Sequence, residues 1–366
     1  MSSKITEIKS RLKGTALGTF LRRYKWNRGL LARDGIVKKV NECMPDATSE
    51  EKDKAVKDIL NMARKYRFSA DEYFYYHFRD KTEEERKSFC SDLNRIDICE
   101  SLNDPRNLAL FNDKIKTYEL FGQYYGREIC GITSGKELDK LMKFAQRHPR
   151  FMVKPVDSSC GQGIQIVDLS DCDDREAGLE ALIAKYCAGV NGGLIAEELI
   201  VQAPELAQIY PNSVNTIRVT TIRCDDGIEI LPPFLKVGRG GNIVDNGGAG
   251  GIFGAFDMIT GKIIAMSDKH GRFYTTHPDT GFEMIGFTIP RWEEAMELAK
   301  KLAMVVPENR YTGWDLALTE KGWVMVEGNA RGQFIGWQIS LQRGFMSEIN
   351  GILRRMGRPE LKKTGI

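Results

Sequence analysis

Gly313-Trp314-Asp315-Leu316-Ala317-Leu318-Thr319-Glu320-Lys321-Gly322-Trp323-Val324-Met325-Val326-Glu327-Gly328-Asn329 is the stretch from which the rest of the chain is read. Two apolar runs flank Glu320-Lys321-Gly322, a polar break ending in glycine, and predict a β-hairpin with strands Asp315–Thr319 and Trp323–Glu327. Side chains alternate faces along a strand, so Glu327 and Asn329 share one face. With a three-residue loop, Thr319 opposes Trp323. Counting outward then sets Asp315 opposite Glu327, with Cβ atoms about 5 Å apart. Facing carboxylates repel unless a cation lies between them, and donors that are all oxygen suit Mg2+ carried by phosphates. A solvated hairpin is the plainer reading, but apolar neighbours on both sides of each acid favour a buried, cation-requiring site.

Upstream, Val153-Lys154-Pro155-Val156-Asp157-Ser158-Ser159-Cys160-Gly161-Gln162-Gly163-Ile164 joins two predicted strands, 151–156 and 163–168, through a Ser/Gly loop. Glycines let backbone N–H groups approach a polyanion, and Lys154 supplies a point charge. No Gly-Lys-Ser/Thr follows, so this is not a Walker A loop. Next comes Ile195-Ala196-Glu197-Glu198-Leu199-Ile200, a strand whose backbone suits an adenine edge and whose acids suit a ribose or an amino group. Asn215–Cys224 and Ile228–Val237 flank Asp225-Asp226-Gly227, a second hairpin. Arg218 interrupts the first of these strands, which is costly without an anionic partner. Lys236, Arg239 and Arg331 extend the run of cations. Residues 238–254 hold eight glycines around Asp245-Asn246 and read as a substrate loop.

The first hundred residues read differently. Thr48-Ser49-Glu50-Glu51 opens a helix toward Tyr66, Ser69 caps an aromatic helix through Phe78, and Thr82-x-x-Glu85 is a capping-box pattern for the next helix. Tyr73, Phe74, Tyr75, Tyr76 and Phe78 at helical spacing predict core or a lobe interface rather than a stacking platform. A helix is also predicted over 291–304. The organisation expected is a helical N-terminal region with a basic head (1–104), a first lobe (105–200), and a second lobe with a C-terminal helix (201–366). Helix–strand alternation with antiparallel hairpins gives an α+β class.

The net charge of +3 is uneven: residues 1–40 carry eleven Lys/Arg against Glu7 and Asp34, a net of +9, leaving −6 for the rest. That head suits a weak membrane-surface or protein contact. With Tyr24 and Trp26 as its aromatics, it argues against nucleic acid. The eight scattered cysteines form no C-x-x-C pair, and the first twenty residues contain no secretory h-region. Both point to a reducing, cytoplasmic setting. The four histidines form no metal or nucleophile pattern, and nothing in the chain indicates its oligomeric state.

In this order the segments resemble the ATP-grasp superfamily over roughly residues 105–340. Ser213-Val214-Asn215-Thr216-Ile217-Arg218, Val244-Asp245-Asn246 and Glu327-Gly328-Asn329 are most similar to the sugar-transfer-associated ATP-grasp family. The resemblance implies an ATP-grasp fold of two α+β lobes, with antiparallel sheets clasping ATP, preceded by the helical N-terminal region. It implies Lys114, Lys154, Ser158, Ser159, Gly161, Gln162 and Gly163 at the phosphates, and Glu197, Glu198, Leu199 and Ile200 at adenine. Asp315, Glu327 and Asn329 would hold Mg2+ (or Mn2+). Arg218, Arg239, Asn246 and Arg331 would serve the acyl phosphate and its acid. D-alanine–D-alanine ligases have an arginine just ahead of the first metal aspartate where this chain has Gly313-Trp314, so that substrate contact does not carry over. The implied activity is an ATP-dependent carboxylate–amine ligase with small-molecule acid and amine substrates. It would act in surface-polysaccharide or amino-acid-conjugate synthesis. Two other readings stay open: a kinase acting on a hydroxyl, and a non-catalytic module binding an anionic sugar or membrane.

Overall fold

The computed structural model describes residues 16–156, 163–188 and 192–361. The chain divides into two compact units, Met1–Ser101 with Gln342–Ile366, and Leu102–Leu341. The C-terminal helix Met346–Arg355, grouped with the second lobe by sequence order, therefore belongs to the N-terminal unit. Its Met346 Sδ lies 3.7 Å from the Cys90 thiol.

Helix starts in this unit follow the local chemistry read from the sequence. Thr48, Ser69 and Thr82 each accept a hydrogen bond from the backbone N–H three residues on. Glu51, Glu72 and Glu85 reach back to the cap N–H in return, starting helices Ser49–Tyr66, Ala70–Tyr75 and Glu83–Ser88. The aromatic helix is shorter than predicted. It ends at Tyr75, His77 turns left-handed at φ 47°, and Phe78–Asp80 forms one 3-10 turn. The break serves burial: Tyr73, Tyr76 and Phe78 all reach a core with Phe68 and Phe89, where Phe68–Phe78 and Tyr76–Phe89 ring centroids are 4.8 and 4.7 Å apart.

Glu72 also accepts from the Asp92 N–H at 2.6 Å, tying two helix starts together from a fully buried position. Burial pushes its pKa up to about 7 against the pull of the Ser69 N–H. A pKa raised above the unfolded 4.5 contributes stability below 4.5 that is lost as pH rises through 7. Relative to Glu72→Gln, wild-type stability in urea titrations should fall by on the order of 3 kcal/mol across that window. Parallel curves for the two proteins would refute it.

The second unit carries ten strands among the described residues, all in antiparallel pairs. A four-stranded sheet has the order β1-β4-β2-β3, from β1 (Ile129–Ile132), β2 (Arg150–Pro155), β3 (Gln165–Asp168) and β4 (Leu194–Glu198). Helices Leu138–Arg147 and Arg175–Tyr186 bury their apolar stripes on it, through Leu141, Phe144, Leu179 and Ile183 against Phe151, Val153 and Ala196.

A six-stranded sheet has the order β10-β9-β5-β6-β7-β8. Its strands are β5 (Thr216–Arg223), β6 (Ile228–Val237), β7 (Ile252–Phe256), β8 (Ile263–Asp268), β9 (Tyr311–Thr319) and β10 (Gly322–Asn329). Helix Trp292–Ala303 covers one face through Ala295, Ala299 and Leu302, and Trp314 is buried there between Phe111 and Phe121. Among the described residues no helix is long and apolar enough to cross a membrane.

Candidate active site

The hairpin that opened the sequence reading forms, with a register that differs in detail. Its loop is Glu320-Lys321, Gly322 pairs Thr319, and Trp323 pairs Leu318. The count is thus one residue off at the turn. It is restored by a β-bulge between Met325 and Glu327, after which Glu327 is the Cα partner of Asp315. The acid pair stands where the sequence count put it, for a reason the count did not contain.

On the next strand Arg218 is the Cα partner of Asp315, so Glu327, Asp315 and Arg218 form one row across β10, β9 and β5. Arg218 donates to both Asp315 oxygens, Nε to Oδ1 at 2.6 Å and Nη2 to Oδ2 at 2.8 Å, and Nη1 to the Gln333 carbonyl at 3.3 Å. This bidentate pair offsets the burial of an arginine in an apolar strand. Lys236 Nζ lies 3.2 Å from Asp315 Oδ1 and 3.5 Å from Asp245 Oδ1. Thr216 donates its N–H (3.2 Å) and hydroxyl to Asp245 Oδ2. Burial pushes the Asp315 carboxyl up, but Arg218 and Lys236 outweigh it and hold the pKa at about 2. Burial raises Asp245, with Lys236 pulling back and the Asp315 charge adding to the rise. Two acids share one lysine, and the arginine beside Asp315 holds that carboxyl low while burial raises the other.

Glu327 and Asn329 are half-buried, and among the described residues their side chains make no hydrogen bond or ion pair. The loop that follows is fastened from two sides. Asn103 Nδ2 donates to the Ala330 carbonyl at 2.8 Å, and the Tyr311 hydroxyl donates to the Gly332 carbonyl at 2.6 Å, which places half-buried Arg331 between two anchored residues. A Cβ on Gly313 would meet the Gly332 Cα at 2.8 Å and Arg218 Cδ at 3.2 Å. That site therefore requires glycine. No group of three or more His, Cys, Asp or Glu side chains converges among the described residues. Two carboxylates and an amide, with Glu327 and Asn329 left open and Asp315 kept ionised, fit a cation that takes few protein oxygens and the rest from phosphate and water. Mg2+ is such a cation.

The four-stranded sheet supplies the lysine. Lys154 Nζ is 2.9 Å from Glu197 Oε1, and Arg127 Nη2 is 2.8 Å from Glu197 Oε2. Burial raises the Glu197 carboxyl, while Lys154 and Arg127 bring it down to about 2. Lys114 opens helix Lys114–Phe121, and both its N–H (3.3 Å) and its Nζ (3.5 Å) point to the Val156 carbonyl, at the start of the Ser/Gly loop. Gly163 closes that loop at φ 72°. Ser158, Ser159, Gly161 and Gln162 lie outside the described residues. Glu198 Oε2 accepts from the Glu128 N–H at 3.0 Å, and Leu199 and Ile200 are half-buried beside Val201, which is 74% exposed.

The glycine loop has its own frame. Arg239 donates to the Tyr274 hydroxyl and, at 3.0 Å, to Asp268 Oδ2. Asn246 caps the turn Gly247–Ala249 by accepting the Gly248 N–H at 2.9 Å. Both side chains hold the loop through these contacts. Arg127 was not singled out from the sequence. In Gly126-Arg127-Glu128 no local pattern marks it as functional.

The model of the family described as sugar-transfer associated ATP-grasp matches residues 93–354. Among solved structures, the ATP-grasp ligase PsnB complexed with a minimal precursor is 16% identical (65% of this chain, 57% of that one, TM-score 0.36). D-alanyl-alanine synthetase A from Vibrio cholerae is 12% identical (70% and 68%, TM-score 0.43). N5-carboxyaminoimidazole synthetase from Staphylococcus aureus, complexed with ADP, is 12% identical (72% and 56%, TM-score 0.41). The chain spans little more than half the length of the first and last of these. No curated protein sequence matches it. The family match runs over most of the chain and includes every strand of both sheets, and so this protein, with an ATP-grasp fold behind a helical N-terminal region, belongs to the sugar-transfer associated ATP-grasp family.

Proposed function

We propose that this chain is an ATP-dependent carboxylate–amine ligase that activates its acid as an acyl phosphate. The observation that carries the reading is the pairing of Asp315 with Glu327 across β9 and β10, with no hydrogen bond or ion pair on the Glu327 or Asn329 side chain among the described residues. Lys154 and Lys114, flanking the Ser/Gly loop, are the cations for the nucleotide phosphates. Glu198 to Ile200 form the adenine edge. Asp315, Glu327 and Asn329 hold magnesium, and the chemistry it supplies when bound is neutralisation of charge on the phosphate oxygens.

The acid's oxygen takes the γ-phosphoryl group of ATP, breaking the bond to the β-phosphate oxygen and releasing ADP. The amine then attacks the acyl carbon, the C–O bond to phosphate breaks, and the nitrogen gives up a proton. Arg218 keeps Asp315 ionised and aimed. Together with Lys236 it gives this sheet face the positive charge needed to hold an anionic acid beside a polyphosphate. The family's description supports a sugar-bearing acid or acceptor, and a cytoplasmic setting suits ATP use.

The test traps the intermediate. An acyl phosphate is electrophilic at carbon, so with an accepted acid, ATP, Mg2+ and hydroxylamine the expected products are a hydroxamate plus ADP and phosphate in equal amounts. A stable phosphoester, with no hydroxamate from any acid that stimulates ADP release, would replace this reading with a kinase acting on a hydroxyl.

A further inference from the structure

Arg127 sits in a turn built to press on β10. Gly126 is left-handed at φ 60°, and a Cβ there would meet Val324 Cγ1 at 2.5 Å. The Arg127 side chain is 3% exposed, stacked 4.7 Å from the Tyr125 ring centroid, with all three nitrogens engaged. Nε and Nη2 donate to Glu197 Oε2 (3.2 and 2.8 Å), and Nη1 donates to the carbonyls of Met325 (2.8 Å) and Tyr125 (3.1 Å). Nη2 also reaches the Val326 carbonyl at 3.4 Å.

Met325 and Val326 are the residues at the bulge. A bulge interrupts the ladder and leaves buried polar backbone needing another partner. Arg127 is that partner. Without the bulge the pairing of Met325 with Leu316 would continue as Val326 with Asp315 and Glu327 with Trp314. Glu327 would then turn to the opposite face, toward the core that buries Trp314.

We infer that Arg127 is a positioning residue. It stabilises the bulge that aims Glu327 at Asp315 and, through Glu197, ties that bulge to the phosphate lysine Lys154. Glu197 is then the pivot of a buried bridge from the four-stranded to the six-stranded sheet, its carboxylate committed to Lys154 and Arg127. The inference rests on the ATP reading above.

The test is calorimetric titration of a non-hydrolysable ATP analogue into the full chain, once with MgCl2 and once with EDTA. Wild type should bind more tightly with magnesium. In Arg127→Gln that enhancement should shrink by about tenfold or more, as for loss of a residue that orients a metal ligand. Affinity in EDTA should stay within about twofold. Lys154→Ala should weaken both conditions by similar factors. Arg127→Lys keeps the charge opposite Glu197 but cannot bridge both carbonyls, so its enhancement should fall between. It carries the test if the glutamine variant does not fold. Wild-type enhancement in the folded Arg127 variants, or equal losses with and without magnesium, would overturn the inference while leaving the ATP reading intact. Wild type that binds the analogue in neither buffer would overturn both.

Discussion

Glu327→Gln is expected to lower ATP turnover by roughly 10²–10³-fold, which corresponds to about 3–4 kcal/mol of lost transition-state stabilisation at a metal-assisted phosphoryl transfer. Stability should barely move. The Glu327 side chain is half-buried and makes no hydrogen bond or ion pair among the described residues, so an isosteric amide strands nothing and should cost within about 0.5 kcal/mol. The pair of measurements is steady-state ADP release at saturating Mg-ATP and a urea unfolding curve. Unchanged turnover would place Glu327 on a solvated hairpin. A large loss of stability would mean that the carboxylate has an internal partner.

Asp315→Ala should behave in the opposite way, although the two acids face each other across one rung. Asp315 is 5% exposed and holds Arg218 with two hydrogen bonds and Lys236 with an ion pair. Removing it leaves two buried cations, Lys236 with Asp245 as its remaining ion-pair partner and Arg218 with no bidentate carboxylate. Breaking a buried pair from one side costs about 3–5 kcal/mol. Urea midpoints should fall accordingly, and turnover should be lost with them. The pH dependence carries the same signature. The folded pKa of about 2 lies below the unfolded 3.8, so the stabilisation is fully present above 3.8 and is lost as pH falls through 2. Asp315→Ala should therefore show a shallower loss of stability across that acidic window than wild type. Equal acid profiles would show that the Arg218 pair contributes nothing to folding.

The contrast between these neighbours shows where local pattern stops being informative. Both acids sit in apolar strands, both were read as ligands of one cation, and nothing in the two strand sequences separates them. Only β5 and β6 separate them, by bringing Arg218 and Lys236 to one acid and leaving the other open. Glu197 makes the same point. Its strand context suggests a carboxylate reaching a ribose or an amino group, whereas Lys154 and Arg127 occupy both of its oxygens.

What the sequence by itself determined was everything governed by short-range periodicity and capping. The starts of three helices at Thr48, Ser69 and Thr82, two hairpins of the larger sheet, and the Lys-Pro strand with its partner were legible because each depends on residues within a few positions of one another, and the order of such segments carried the α+β class and the family resemblance. Tertiary structure alone decided four things. It ended the aromatic helix at Tyr75 so that Tyr76 and Phe78 both reach one core. It joined Met346–Arg355 to the N-terminal unit. It paired Arg218 with Asp315, and Glu197 with Lys154 and Arg127, as buried ionic partners. Last, it set the Asp315–Glu327 register by a bulge whose free carbonyls are met by Arg127, almost two hundred residues away. The physical reason is common to all four. A buried charge or an unpaired carbonyl is tolerated only where a partner is delivered, and which distant residue delivers it is set by strand order and core burial, on which local sequence is silent.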